Sequence, residues 1–204
     1  MPLSFLKPLK YALAVAVIAF LLPAGSEAAT QKKVWLFADT NAFQNLQTEL
    51  NQWKADVNAE GRYEAEIYAL PPVSPVLLRL MLQLGYQNGD LAGALLVGKM
   101  PIVMMESTSA HGMADTPYPT DAYYTDFDCE WLDVNANGRM DVFGAIGDLM
   151  PDIWLGRIDC ETLQFPGKNR IDLLRAYFQK NHKYRTGTLS LPKAALMFQA
   201  INYQ

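Results

Sequence analysis

Between Val34 and Gly98, short unbroken apolar runs alternate with stretches in which apolar residues recur every three or four positions. VWLFAD (Val34 to Asp39) mixes β-branched and aromatic residues and stops at the turn-forming DTN, which predicts a buried strand ending on Asp39. Phe43, Leu46, Leu50, Trp53 and Val57 share one helical face through Ala59, with Gly61 as the stop. YEAEIYAL (Tyr63 to Leu70) predicts a second strand, closed by Pro71 and Pro72. Ser74 in the cap position and Pro75 in the first turn then open a helix through Tyr86. GALLVG (Gly93 to Gly98) is continuously apolar, as in a strand covered on both faces. This order predicts an α/β fold, a mostly parallel sheet flanked by helices. In such sheets ligands gather at the carboxyl ends of strands, so the segments after Asp39 and Gly98 are candidate site loops.

From Pro101 to about Pro151 the periodicity is lost, and glycine, proline, aspartate and asparagine are frequent. A loop region of this length, with short strands at most, is more often functional than a short connection. Order returns with PDIWLGRI (Pro151 to Ile158), a buried strand. A helix follows from about Lys168 to Lys183, with Ile171, Leu174 and Phe178 on one side. Ala194 to Ile201 predicts one more strand. A compact domain seldom ends on a buried strand, so the chain is expected to be truncated.

The amino-terminal residues follow a different plan. Lys7 and Lys10 precede an apolar run from Tyr11 to Leu22, then Pro23, Gly25 and the small residues of SEAAT. This is the order of a cleavable export signal, with Ser26 and Ala28 meeting the small-residue rule, so residues 1–28 are read as a signal peptide. The run is about a dozen residues against the roughly 20 that cross a bilayer, and no membrane-spanning segment is expected after cleavage. The roughly 175 residues that remain suffice for one domain with a core. The net charge of −4 provides no basic surface for nucleic acid. Export to a periplasm, a cell surface or the medium would let a disulfide between Cys129 and Cys160 persist, but their spacing does not decide between a bridge and two packed thiols.

The strongest local motif is DVNANGRMD, Asp133 to Asp141. Oxygen ligands at positions one, three, five and nine, with Gly138 at position six, follow the order of a calcium loop of the EF-hand kind. Asp133, Asn135 and Asn137 would supply side-chain oxygens, Arg139 its backbone carbonyl, and Asp141 a direct or water-mediated oxygen. Position twelve, normally a glutamate, is Gly144, so Asp148, Asp128 or Glu130 would have to close the shell. The other reading is an Asx-rich turn whose side chains bond their own backbone, and the spacing leaves both open.

Several segments together resemble the gingipain-like cysteine peptidases, whose fold is related to that of caspases. They are VWLFADTNAF, VSPVLLRLMLQLGYQNGD leading into GALLVGKMPIV, TPYPTDAYYTDFDCEW, and PDIWLGRIDCETLQ followed by KNRIDLLRAYFQKNHKY. The resemblance spans about Lys33 to Ala200. It implies the front part of a caspase-like, gingipain-type peptidase domain: residues 29–188 as its N-terminal subdomain and 189–204 as the first strand of a second. It also implies a polypeptide substrate, with the catalytic histidine and cysteine downstream of this chain. Where many members carry an acidic residue after the LLVG strand, this chain has Lys99. His111-Gly112 precedes the YPTDAYYTD block, whereas the family's His-Gly step follows the PDIWLGRI strand, so His111 is expected to be a loop histidine. Cys160 does not fall at the family's nucleophile, and Cys129 lies among Asp126, Asp128 and Glu130, which would raise its pKa. His182, near a helix end, is expected to be solvated surface. No catalytic residue is assigned within the chain; the alternative is a non-catalytic secreted module that binds calcium and a protein or glycan partner.

Overall fold

The structure is a computed structural model and describes residues 31–106, 117–144, 147–148 and 150–190. The expected signal peptide, His111-Gly112 and the expected strand from Ala194 to Ile201 lie outside the described residues. The sheet expected from the alternating pattern is present and parallel throughout. It comprises β1 (Lys33–Asp39), β2 (Glu64–Leu70), β3 (Leu91–Val97) and β8 (Trp154–Ile158), in the order β2-β1-β3-β8.

The helical stretch after β1 is two helices, α1 (Thr40–Asn45) and α2 (Gln47–Ala59), broken at Leu46. Asp39 caps α1 by accepting the Ala42 N–H at 2.7 Å, so the strand's last residue also starts the helix. Helix α3 (Pro75–Gln87) begins as expected, with Ser74 Oγ accepting from Leu77 N and proline in the first turn. Helix α4 (Arg170–Arg185) opens with a reciprocal capping box between Asn169 and Asp172.

Two clusters cover the two faces of the sheet. Val34, Leu36 and Ala38 pack with Leu46, Leu50, Trp53 and Val57 of α1–α2 and with Leu174 and Phe178 of α4. Trp35 and Phe37 pack with Leu78, Met81 and Leu82 of α3 and with Tyr123, Tyr124 and Ile153 from the long excursion. Ion pairs of Arg175 with Glu49 and of Arg185 with Glu60, and a hydrogen bond between His182 and Asp56, lace α4 alongside α2. His182 is therefore not simply solvated surface, since its Nδ1 lies 2.8 Å from an Asp56 carboxylate oxygen.

The described residues between 101 and 153 carry short pieces: β4 (Val103–Met105) with β5 (Tyr118–Thr120), a turn of 3-10 helix (Ala122–Tyr124), and β6 (Trp131–Leu132) with β7 (Val142–Phe143). Buried polar groups hold the segment where periodicity could not. The Arg79 guanidinium from α3 donates to the carbonyls of Tyr123, Asp126 and Cys129 and lies over the Tyr123 and Phe127 rings. Arg157 from β8 grips the Asp121 carboxylate with two nitrogens and donates to the carbonyls of Met100 and Pro101.

The disulfide weighed between Cys129 and Cys160 is not formed. Cys129 is tied through its carbonyl to Arg79 on the α3 side, whereas Cys160 belongs to the cluster under α1, α2 and α4. The sheet lies between them.

At Gly98, φ is +80° and a Cβ would overlap the Asp39 carboxylate, where Arg170 and the Lys99 N–H also converge. Gly98→Ala meets both an unfavourable backbone region and this clash, so it should destabilise by at least about 1–2 kcal/mol. A Tm lower by roughly 2–8 °C in thermal denaturation is the expected reading.

Candidate functional site

Two places gather chemistry-bearing side chains: the carboxyl end of the sheet and the loop Asp133–Asp141.

At the carboxyl end, Asp39 closes β1, Gly98 and Lys99 follow β3, and Glu161 follows β8. Asp39 Oδ1 accepts from Ala42 N and Oδ2 accepts from Lys99 N at 2.7 Å and from Arg170 Nη1 at 2.5 Å. Arg170 also reaches Asn41 Oδ1 at 3.1 Å and Glu161 at 3.5 Å. The loops nominated after Asp39 and Gly98 do converge, and the residue that joins them, Arg170, comes from the start of α4, 131 positions from Asp39. Lys99 contributes its backbone amide, so this contact does not depend on the side chain at position 99. The carboxylate is saturated by donors, so this cluster is a latch rather than an open reactive centre. Burial by itself would raise the Asp39 carboxyl, but hydrogen bonds from Arg170, Ala42 and Lys99 and the guanidinium charge hold it below the ordinary value.

Cys160 stands beside this latch. Burial, then the Asp159 charge, pushes its thiol up, with Arg170 opposing. Among the described residues the one histidine is His182, twelve helical positions beyond Arg170, or about 18 Å along the axis. No thiol–imidazole pair forms between Cys160 and His182.

The second place begins with backbone pairing. Glu106 N donates to Met140 O and Met140 N donates to Met104 O, both at 2.9 Å, so the end of β4 lies beside the end of the loop. Within the loop, Asp133 Oδ2 accepts from Gly138 N at 2.8 Å and Oδ1 from Asn137 N at 3.1 Å. Asn135 Oδ1 accepts from Asn137 N, and Asn137 Oδ1 from Arg139 N. Asp141 Oδ2 closes the loop by accepting from Val134 N at 2.7 Å and Asn135 N at 3.3 Å. Ala136 and Gly138 take left-handed φ values of +59° and +86°, turning alternate side chains to one side.

All five nominated residues, Asp133, Asn135, Asn137, Arg139 and Asp141, thus belong to one wrapped loop. The group facing them that the sequence did not reveal is Glu106. Its Oε1 accepts from Asn135 Nδ2 at 2.9 Å and Asn137 Nδ2 at 2.8 Å, and its Oε2 from Arg139 Nη1 at 3.2 Å, with the residue only 8% exposed. The amides of Asn135 and Asn137, aided by Arg139, hold its carboxyl down at about 2. Asp128, one of the carboxylates expected to complete the shell, instead lies with Asp126 and Cys129, whose ligand atoms come within 4.8 Å of one another. Desolvation, then a hydrogen bond with Asp126 and the charges of Asp148, Asp126 and Asp152, raises the Asp128 carboxyl. Cys129 N spends Asp126 Oδ1 as an acceptor. The sequence signal for Glu106 is slight: a single acid after the apolar run IVMM, 27 positions before Asp133.

No protein-family profile matches this chain, and no curated protein or solved structure does either.

The loop is an all-oxygen donor set with two or three carboxylates and a tight turn, the chemistry that suits calcium. Each asparagine Oδ1 spends one lone pair on a backbone N–H and keeps the other for a cation. A cation bound here would take Asp133, Asn135, Asn137 and Asp141 as its side-chain ligands, whereas Glu106 faces the amide nitrogens of Asn135 and Asn137 and positions those side chains.

The Asp39 latch sets an acid limit. A carboxyl lowered on folding contributes stability that is complete above its unfolded pKa, about 3.9, and is lost as pH falls through the lower folded value. In urea titrations between pH 7 and pH 2, the native protein should lose stability below about pH 4. Asp39→Asn should be less stable at neutral pH and show a shallower acid loss; an unchanged acid slope would mean that other carboxylates carry it.

Proposed function

We propose that this chain is the N-terminal subdomain of an exported, gingipain-like cysteine endopeptidase domain of caspase-related fold, with the catalytic histidine and cysteine supplied from outside the chain. The observation that carries this reading is where the resembling segments fall. In order, they are β1 with the start of α1, α3 with β3, the anchored excursion, β8, and α4. Segments that are unremarkable singly thus form one sheet and its covers. The leader at residues 1–28 supports export, and among the described residues no helix is long and apolar enough to cross a membrane.

The described crossovers share one hand. The connections β1 to β2 and β2 to β3 run in opposite directions across the sheet, over opposite faces, so they share one hand, which in parallel sheets is nearly always right. Helix α4 leaves β8 on the α2 face. A parallel strand laid against the outer edge of β8 after α4 would have the opposite hand. The assignment of residues 189–204 to the first strand of a second subdomain rests on the resemblance alone.

The test is a peptidase assay on residues 29–204 with pooled fluorogenic peptides, calcium and reductant, beside Cys160→Ala. The expected result is no turnover above that control. Turnover that disappears in Cys160→Ala would place the nucleophile inside this chain and overturn the proposal.

The wrapped Asp133–Asp141 loop favours a second reading, in which the chain is a non-catalytic secreted module that binds calcium and presents residues 101–151 to a protein or glycan. Two of the four loop side chains are neutral, so a structural site with a Kd of roughly 10⁻⁴ to 10⁻³ M is expected. Calcium at about ten times Kd should then add roughly 1.4 kcal/mol, which raises Tm by about 3–5 °C. Asp133→Asn and Glu106→Gln should each abolish the rise. A wild-type Tm indifferent to calcium would make the loop an Asx turn.

A further inference from the structure

Strand β2 ends the sheet, and among the described residues no strand pairs with its outer side. Glu64 N donates toward β1, to Lys32 O, whereas Ala65 N turns outward to Asn58 Oδ1. Since backbone groups alternate along a strand, Ile67 and Ala69 also point their N–H and C=O groups outward. Helix α2 lies over the same edge, leaving a cavity of about 170 Å³ lined by Phe43, Gln47, Leu50, Asn51, Lys54 and Ile67.

This lining is ordered by chemistry. Leu50 is buried, Phe43 and Ile67 are half-buried, and together they provide an apolar floor. Gln47 and Asn51 are exposed at the rim and carry amide donors. Lys54 is half-buried, and among the described residues no ion pair engages it. A cation and two amides over an apolar floor match one side chain closely: the two methylenes of a glutamate on the floor, its carboxylate on Lys54.

We propose that the β2 edge and this cavity form a docking site for an extended peptide, which adds to Ile67 and Ala69 as a further strand and places a glutamate side chain against Lys54. Backbone pairing at a sheet edge supplies binding, and pockets for alternate side chains supply selectivity, as in other strand-addition complexes. The Asn58 cap on Ala65 limits the free edge to its upper part, so the site takes a few residues and binds weakly. Lysines flanking the glutamate would suit a chain whose net charge is −4.

The probe is the peptide KTTETTK, titrated into isotope-labelled residues 29–204 and followed by NMR. Amide shifts at Ile67 and Ala69, with slower hydrogen exchange there, are expected, and KTTQTTK should bind at least about five-fold more weakly. Lys54→Met, at a partly exposed helix position, should erase the Glu-over-Gln preference while leaving the fold's spectrum intact. Methylating the peptide nitrogens that face β2 should abolish binding. Equal binding of the two peptides to the wild type, perturbation away from β2, or no binding at millimolar peptide would overturn the proposal. Binding that emerges only when residues 191–204 are deleted would also overturn it, by assigning the edge to the chain's own C-terminal segment.

Discussion

Strand β1 has five consecutive buried residues, Val34 to Ala38, and a strand that meets water on neither face must be covered twice. Trp35 and Phe37 turn to one side and Val34, Leu36 and Ala38 to the other, so each cluster takes its centre from the same seven-residue strand. Helices α1, α2 and α4 provide one cover and α3 the other, and because a helix crosses back between β1 and β2 and again between β2 and β3, successive strands run in the same direction. Because β1 is central, its last residue falls where the carboxyl ends converge. Asp39 can therefore meet Lys99 and Arg170 as well as cap its own helix.

The excursion between Pro101 and Ile153 follows another rule. With no repeating apolar stripe, it is held by polar groups that would be unfavourable if left unpaired. Arg79 and Arg157 each satisfy several carbonyls of this segment, and Tyr124 Oη donates to Pro101 O at 3.0 Å. Such networks tie irregular backbone to regular elements through side chains far apart in sequence. Removal of one guanidinium would expose several acceptors at once, so the loops carrying Asp121, Asp126 and Asp133 depend on residues of α3 and β8.

The two candidate sites differ in what they leave open. At the carboxyl end of the sheet, Asp39 and Arg170 satisfy each other, and the chemistry is structural. In the Asp133–Asp141 loop, two asparagines and an arginine satisfy Glu106, and the Asp133 and Asp141 carboxylates accept backbone N–H groups of the loop while keeping oxygen lone pairs over. On the β2 edge it is a positive charge, Lys54, that stands without an ion-pair partner among the described residues.

Local pattern by itself determined the elements: the strands ending at Asp39, Leu70, Val97 and Ile158, the Ser74–Pro75 helix start, and the wrapped turn around Gly138. Each of these depends on residues within a few positions, so spacing and turn chemistry are enough. The same logic placed Asp39 and Gly98 at strand ends and made their loops candidates. Tertiary structure alone decided that Arg170 joins those loops, that Glu106 faces the Asp133–Asp141 turn, that Cys129 and Cys160 lie on opposite sides of the sheet, and that His182 meets Asp56. The contacts of Glu106, Arg170 and His182 link residues 29 to 131 positions apart. Such partners are chosen by how covered strands and helices stack, which no local periodicity records.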